Sequence, residues 1–388
     1  MTQHISTNPI LSRRNFLKLA AGAAAGAALF PFASGRTVQA AEGYTPVLRP
    51  ENIHSLPAPV QAAHSSDMVR LAHRQLLGAV DSIKNRELRQ NTRKLIEDPV
   101  PTVAGEYTSK SAVTRLYAAL AGQGLIDTAK ISEAQLLPPF SGTAPQPFLS
   151  APGSGYGSHH AYPGGLATHV EVNVRLTDAI CSTYKDIFYY QVDRDTAIAA
   201  QALHDIAKPW VFQWQEDGSS LPEYTIAATG AHHILSLAEV LYRGFPAEEV
   251  VAQACAHTPP TSAGEEEIVA GYLRAAAIIA GKDAVRYGLV SADGKRIPAP
   301  HKQEGYIVHL GDHDWILSVP AAQKAVQILK DIAASEYGMS AREQNGAAFN
   351  HFRNYIAAQA SLMRINFLAA QPNGLEEIKS LVQKIITA

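Results

Sequence analysis

Apolar positions recur along this chain at the spacing of helices rather than of strands. Helices are predicted over about 58–97, where Leu71, Leu76, Leu77 and Val80 are among the apolar residues, and over about 110–123, which carries Val113, Leu116, Tyr117 and Leu120. Further helices are expected at about 166–184, 195–208, 224–243, 246–257 and 264–288, and three more near 319–336, 340–370 and 374–386. No stretch of any length alternates apolar and polar residues at period two, and no internal repeat is present, so the fold class is all-α. Residues 41–57 form an extended lead-in. A Pro-, Gly- and Ser-rich loop over 138–165 ends at His159-His160-Ala161-Tyr162-Pro163-Gly164-Gly165. A loop of that length inside a compact domain is often functional, which makes this one a candidate lid or substrate-binding loop. Residues 291–314 are expected to be irregular, with a hairpin around Asp293-Gly294.

One helix stands apart. Ala197–Lys208 is apolar nearly all the way round and so should be buried, yet it ends in His204-Asp205, with Lys208 one turn later. An unpaired buried charge costs several kcal/mol and is normally paired or bound to a metal. Lys208 could neutralise Asp205 alone, so the case for a metal needs more ligands. A turn of 100° per residue supplies candidates. His169 shares a face with Val172, Leu176 and Ile180, while Glu171, Arg175 and Asp178 lie opposite. His233 lies at the edge of the face made by Ile234, Leu237, Ala238 and Leu241. His232 falls with Ser236, Glu239 and Arg243 on the polar side. Asp283 continues a face with Ile268, Tyr272, Ala276 and Ile279, and His257 closes its helix just before Pro259-Pro260. Five consecutive helices thus offer His169, His204, Asp205, His233, His257 and Asp283. Imidazole and carboxylate together suit Mn, Fe, Co, Ni or Zn as one or two divalent ions.

Composition narrows the class. The chain has 388 residues, of which 46% are hydrophobic and 18% charged, as suits a globular protein with a sizeable core. A net charge of −2 and the lack of a long basic run beyond the N-terminus argue against stable nucleic-acid binding. The N-terminus carries Ser12-Arg13-Arg14-Asn15-Phe16-Leu17-Lys18, a short Gly/Ala-rich apolar run and Thr37-Val38-Gln39-Ala40. This is the pattern of a twin-arginine export signal cleaved after Ala40, which makes the translocase a transient partner and the periplasm the expected location. That route carries folded proteins, often with a cofactor already inserted. No other segment is long and apolar enough to span a bilayer. Cys181 and Cys255 fall in apolar helical patterns, where free buried thiols are expected, and no Cys-rich zinc pattern exists.

The order His169…His204-Asp205…Asp283 resembles the H…HD…D signature of the HD-domain superfamily of metal-dependent phosphohydrolases. His233 and His257 are similar to the two extra histidines of members that hold two metals. Tyr162-Pro163-Gly164-Gly165-Leu166-Ala167-Thr168-His169 resembles the Gly-Gly-Leu-x-x-His entry of the branch with HD-type 3′–5′ exoribonucleases, and His204–Lys208 matches HD-x-x-K. The likeness covers about 160–290. It departs after His257, which is followed by Thr258-Pro259-Pro260 where the branch often has His-His-Gly. The resemblance implies an HD-type helical bundle over 151–290, flanked by helical extensions over 41–150 and 291–388 behind a signal over 1–40. It also implies one ion on His169, His204, Asp205 and Asp283, with Asp205 bridging to a second held by His233 and His257.

The activity so implied is hydrolysis of a small phosphate monoester or diester, nucleotides included, by metal-activated water. Asp205 and Lys208 would be catalytic, with Lys208 countering phosphoryl charge. Lys208, His232 and His160 are candidate substrate contacts, and His159 could also touch substrate. A di-iron oxygenase on the same ligand set and a non-catalytic metal-binding protein are the alternatives. His313-Asp314 repeats the HD dipeptide without a buried helix before it and is expected to be coincidence. Arg274 and Arg286 are expected in helix salt bridges, and Trp210 and Trp214 in packing.

Overall fold

The structure, a computed structural model, describes residues 46–388. The export-signal expectation over 1–40 lies outside them. The described chain is all-α: helices carry the fold, and the strands are two-residue pairings. Helix α1 spans Pro59–Ser65, α2 Asp67–Asp81, α3 Arg86–Glu97 and α4 Lys110–Gly122. They are followed by α5 (Gly165–Phe188), α6 (Arg194–Leu203), α7 (Lys208–Val211), α8 (Ala231–Tyr242), α9 (Ala247–Ala254) and α10 (Ala263–Ile279). The C-terminal part adds α11 (Lys302–Gly311), α12 (Trp315–Tyr337), α13 (Ala347–Ala360), α14 (Leu362–Ala369) and α15 (Gly374–Gln383).

Side-chain caps set many of the helix starts. Ser66, Asn85, Ser109, Asp193 and Ser262 each accept a backbone N–H from the first turn of α2, α3, α4, α6 and α10. Such caps explain why the apolar pattern over 58–97 is three helices, interrupted at Ser66 and at Ser82–Asn85. The stretch 340–370 likewise breaks at Ser361, whose φ is +67°. A short hairpin, β2 (Thr225–Ile226) with β3 (Thr229–Gly230), precedes α8 where helix was expected from 224. Residues 291–314 contain α11 rather than only loop, and Asp293-Gly294 forms a turn closed by Ser291 N–H to Arg296 O, with no strands beside it.

The main core joins α2–α6 to α8, α9 and α10 through residues such as Leu76, Leu95, Leu120, Val170, Ile198, Leu237 and Leu273. A second core unites α12–α15 around Leu329, Phe352, Ile356 and Ile378, and β1 (Glu51–Asn52) pairs in parallel with β4 (Ile386–Thr387) beside it. Cys181 and Cys255 are both buried and free. No described helix is long and apolar enough to cross a membrane.

Two departures from the expected faces bear on the site. On α5, Val172 and Leu176 are exposed, while Asn173 and Thr177 are fully buried and face α11 and α6. The inward face of α5 is polar because its partners are polar. Helix α11 approaches closely enough that a Cβ at Gly311 would collide with Thr177 Oγ1. Only glycine allows that approach, and it sets the position of the next residue, Asp312.

Candidate metal centre

Helix α6 is buried from Thr196 to Leu203, and the chain then turns through His204–Ala207 into α7. His204 Nδ1 donates to Gln201 O at 2.7 Å, which leaves Nε2 pointing inward. The turn is held from the other side by Ser236 of α8, whose Oγ accepts the Ala207 N–H at 2.9 Å. Four imidazoles converge here on two carboxylates. His169 Nε2 lies 3.2 Å from Asp205 Oδ2 and 3.3 Å from Asp312 Oδ1, and His204 Nε2 lies 3.1 and 3.4 Å from the same two oxygens. The other oxygens face the other histidines. His232 Nε2 is 3.4 Å from Asp205 Oδ1, and His257 Nε2 is 4.0 Å from Asp205 Oδ1 and 3.5 Å from Asp312 Oδ2. Each carboxylate therefore gives one oxygen to the His169–His204 pair and one to the His232–His257 side.

The donor set fits a metal ion. With metal–ligand bonds of about 2.0–2.2 Å, ligand atoms around one tetrahedral or octahedral ion stand roughly 3.0–3.5 Å apart. Most of the separations above fall in that range. Three groups present one ligand atom each within 4.8 Å of one another: His169, His204 and Asp312; His204, Asp205 and His257; and His160, His169 and Asp314. His204 Nε2 and Asp205 Oδ1 are buried without a hydrogen-bond partner, which folded proteins rarely tolerate unless something else binds those atoms.

The electrostatics agree. Burial disfavours charge on His204, but the Asp205 and Asp312 carboxylates outweigh it and push the imidazole up to about 9. His169 is likewise raised, against burial, by Asp205, Asp312 and Asp314. Burial opposes ionisation of Asp205, yet His204, Lys208 and His169 hold its carboxyl well below the usual range. Two carboxylates in a dry site demand positive charge, which protons or a divalent cation satisfy. Lys208 Nζ is 2.5 Å from Asp205 Oδ2 and also donates to Gly153 O in the Gly-rich loop.

Two expected ligands are elsewhere. Asp283 is exposed and its carboxylate accepts the Arg286 N–H. The face that should carry it inward ends early, because α10 stops at Ile279 and Gly281 takes a left-handed φ of +64°. Asp312, at the end of α11, stands at the centre in its place. His233 is fully buried behind the site, its ring 4.3 Å from that of His257 and 5.1 Å from Tyr272, with neither nitrogen hydrogen-bonded. Its neighbour His232 reaches Asp205 instead. The polar side of α8 is not a solvent face: Ser236 and Glu239 on it are buried, Glu239 accepting from Thr102 Oγ1 and Val103 N–H.

The remaining candidates are placed as follows. His160, with φ of +51°, is buried and holds Asp314 Oδ2 at 2.7 Å. His159 lies beside it, its ring 5.5 Å from His169 and its imidazole pushed down to about 3 by burial. Asp314 belongs to the site, so the second His-Asp dipeptide is not mere coincidence. Trp210 is buried with Nε1 on Pro138 and Pro139 carbonyls, and Trp214 Nε1 donates to Ser150 O. Arg274 Nε is buried without a partner. Sequence patterning also passed over Glu223, which accepts from His232 N–H and faces His232 Nδ1 at 2.5 Å. Asn173 escaped it too, although its Nδ2 donates to Asp312 Oδ1 at 2.6 Å. Asp312 follows a short helix in a stretch whose Gly and Pro content conceals it. Burial of Asn173 and Thr177 has no apolar signature at all.

The fold and site thus define an all-α protein with His/Asp groups able to hold a metal ion. A 99-residue stretch, 26% of the chain, is 32% identical to the dihydroneopterin 2',3'-cyclic phosphate phosphodiesterase of Methanocaldococcus jannaschii and covers 39% of that protein's length. No protein-family model matches the chain, and no solved structure matches it.

Proposed function

We propose that this chain is an HD-type, metal-dependent phosphohydrolase, and that phosphodiesters, cyclic phosphates among them, are its first substrate class. The observation that carries the proposal is the sharing of Asp205 and Asp312, each with one oxygen toward His169 and His204, while the other oxygen faces His257 in both and His232 as well in Asp205. Such a donor set would suit two divalent ions, with His169 and His204 on one side of the carboxylate pair and His232 and His257 on the other. The phosphodiesterase named above, similar over about a quarter of this chain, supports the same class of reaction.

Divalent ions held there would act as Lewis acids and lower the pKa of water toward roughly 7. The chain's own groups do the rest. Asp205 and Asp312 fix the spacing of the two halves. Lys208, anchored on Asp205 and Gly153 O, presents its ammonium where phosphoryl oxygens gather charge. His159, held neutral by burial, stands at the loop side of the centre, where it can contact the ester. His160 Nε2 is taken up by Asp314, so a direct substrate contact is assigned to His159 ahead of it. Export through the twin-arginine route would place the reaction in the periplasm.

The test is phosphate-ester hydrolysis by metal-loaded protein. Phosphomonoesters, linear diesters and 2',3'-cyclic nucleotides are each offered with Mn²⁺, Fe²⁺, Co²⁺ or Ni²⁺. Turnover lost in His204→Ala supports the proposal. No turnover of any ester, with two irons bound and oxygen consumed, would move the assignment to an oxygenase.

A further inference from the structure

His169 turns its two ring nitrogens to different partners. Nε2 faces Asp205 and Asp312, while Nδ1 faces Asp314 Oδ1 at 3.4 Å. Both of those last atoms are buried, and neither has any hydrogen-bond partner. A donor and an acceptor left over side by side can satisfy each other, and a small closure makes the bond. Asp314 is not free to swing away, because its other oxygen is held by His160 Nε2 at 2.7 Å. His160 is itself fixed: its backbone carbonyl accepts from Gly153 and Tyr162, and its ring lies 5.3 Å from that of His169.

The same device recurs across the centre. His232 Nε2 faces Asp205 Oδ1, and its Nδ1 meets Glu223 Oε1 at 2.5 Å. Glu223 also accepts the His232 backbone N–H, so one carboxylate fixes both the ring and the start of α8. The two histidines lie on opposite halves of the Asp205–Asp312 pair, and each half has its own outer carboxylate. His204 is oriented more weakly, by a neutral carbonyl.

We propose that Asp314 and Glu223 are separate positioning carboxylates, one for each of two ion positions, acting on His169 and His232 through Nδ1. The proposal rests on the metal reading above. A carboxylate on Nδ1–H fixes the tautomer and ring orientation and raises the basicity of Nε2, and loss of such a group typically costs about 10–100-fold in metal affinity. Because the two act on different halves, their loss should be felt by different ions.

Chelator-treated full-length protein titrated with Co²⁺ provides the test, followed by visible absorption and by metal content after gel filtration. Wild type is expected to take up two equivalents. Asp314→Asn should weaken one equivalent about 10–100-fold and leave the other, and Glu223→Gln should weaken the opposite one, with a distinct change in the cobalt spectrum. Asp314→Glu and Glu223→Asp, which keep the charge, should recover part of the affinity and serve where the amides do not fold. Two tight equivalents in both amide variants would overturn the positioning roles and leave the metal reading intact. Loss of the same equivalent in both would overturn their separateness. Failure of wild type to bind cobalt at all would defeat the metal reading itself.

Discussion

His232, and not its neighbour His233, brings a ring nitrogen to Asp205: Nε2 stands 3.4 Å from Oδ1. The two histidines are adjacent in sequence and about 100° apart around α8, so only one of them can face the carboxylate pair. His233 instead packs against His257 and Tyr272 with both nitrogens unpaired, and burial holds it neutral.

The two positions should therefore respond oppositely to substitution. An unpaired buried polar group costs about 1–3 kcal/mol, so His233→Leu, close in volume, is expected to keep metal content and to raise stability by about 1 kcal/mol. His232→Ala should keep the fold and lose an ion. Metal content and thermal unfolding of the two variants check this. Loss of metal in His233→Leu would return that residue to the ligand set.

A similar contrast separates two aspartates. Asp283 is exposed on the turn after α10, while Asp312 is buried between His169, His204 and His257. Asp283→Asn is expected to change metal content and phosphate-ester turnover by less than twofold. Asp312→Asn removes one of the two shared carboxylates. It should abolish turnover and leave at most weak binding of a single ion, as measured by elemental analysis.

These residues show where sequence patterning succeeds. His204 and Asp205 were legible because charge at the end of an all-apolar helix is costly unless something uses it. The all-α class was legible because helical periodicity is strong over many turns. Asp283 misled because periodicity does not report where a helix ends, and Gly281 ends this one in effect before the carboxylate. His233 misled because amphipathic logic assumes that a polar face meets water. On α8 and α5 the polar faces meet other buried polar groups, as Ser236 and Asn173 show. Asp314 is distant in sequence from His169, and Glu223 meets His232 only across the β2–β3 hairpin, so no helical spacing rule links either pair.

Chelation should weaken the fold as well as the activity. Without a cation, Asp205 and Asp312 are balanced only by raised imidazoles and Lys208, and several ligand atoms have no partner. An ion that binds only the folded chain stabilises it by about 4 kcal/mol at a thousandfold excess over its Kd. Metal-loaded protein is expected to unfold several degrees above chelator-treated protein, and readdition of Mn²⁺ or Co²⁺ should restore the difference. Coincident unfolding curves would mean that the centre is satisfied without an ion.

Glu249 carries a pH dependence that is separate from the metal centre. It is fully buried on α9, and neither carboxylate oxygen has a hydrogen-bond partner. Burial, with a smaller push from Glu248, raises its carboxyl to about 8. The folded chain thus holds this proton to higher pH than the unfolded chain does. The stability it carries is fully present below the ordinary carboxyl value. It is lost as pH rises toward 8, by up to about 1.4 kcal/mol per unit, and the loss is complete above that. Glu249→Gln keeps the shape and removes the ionisation. It is expected to match wild type near pH 4.5 and to exceed it by a few kcal/mol at pH 8.5 in urea unfolding. Parallel stability–pH curves for the two proteins would show that Glu249 ionises in the folded state as it does in the unfolded one.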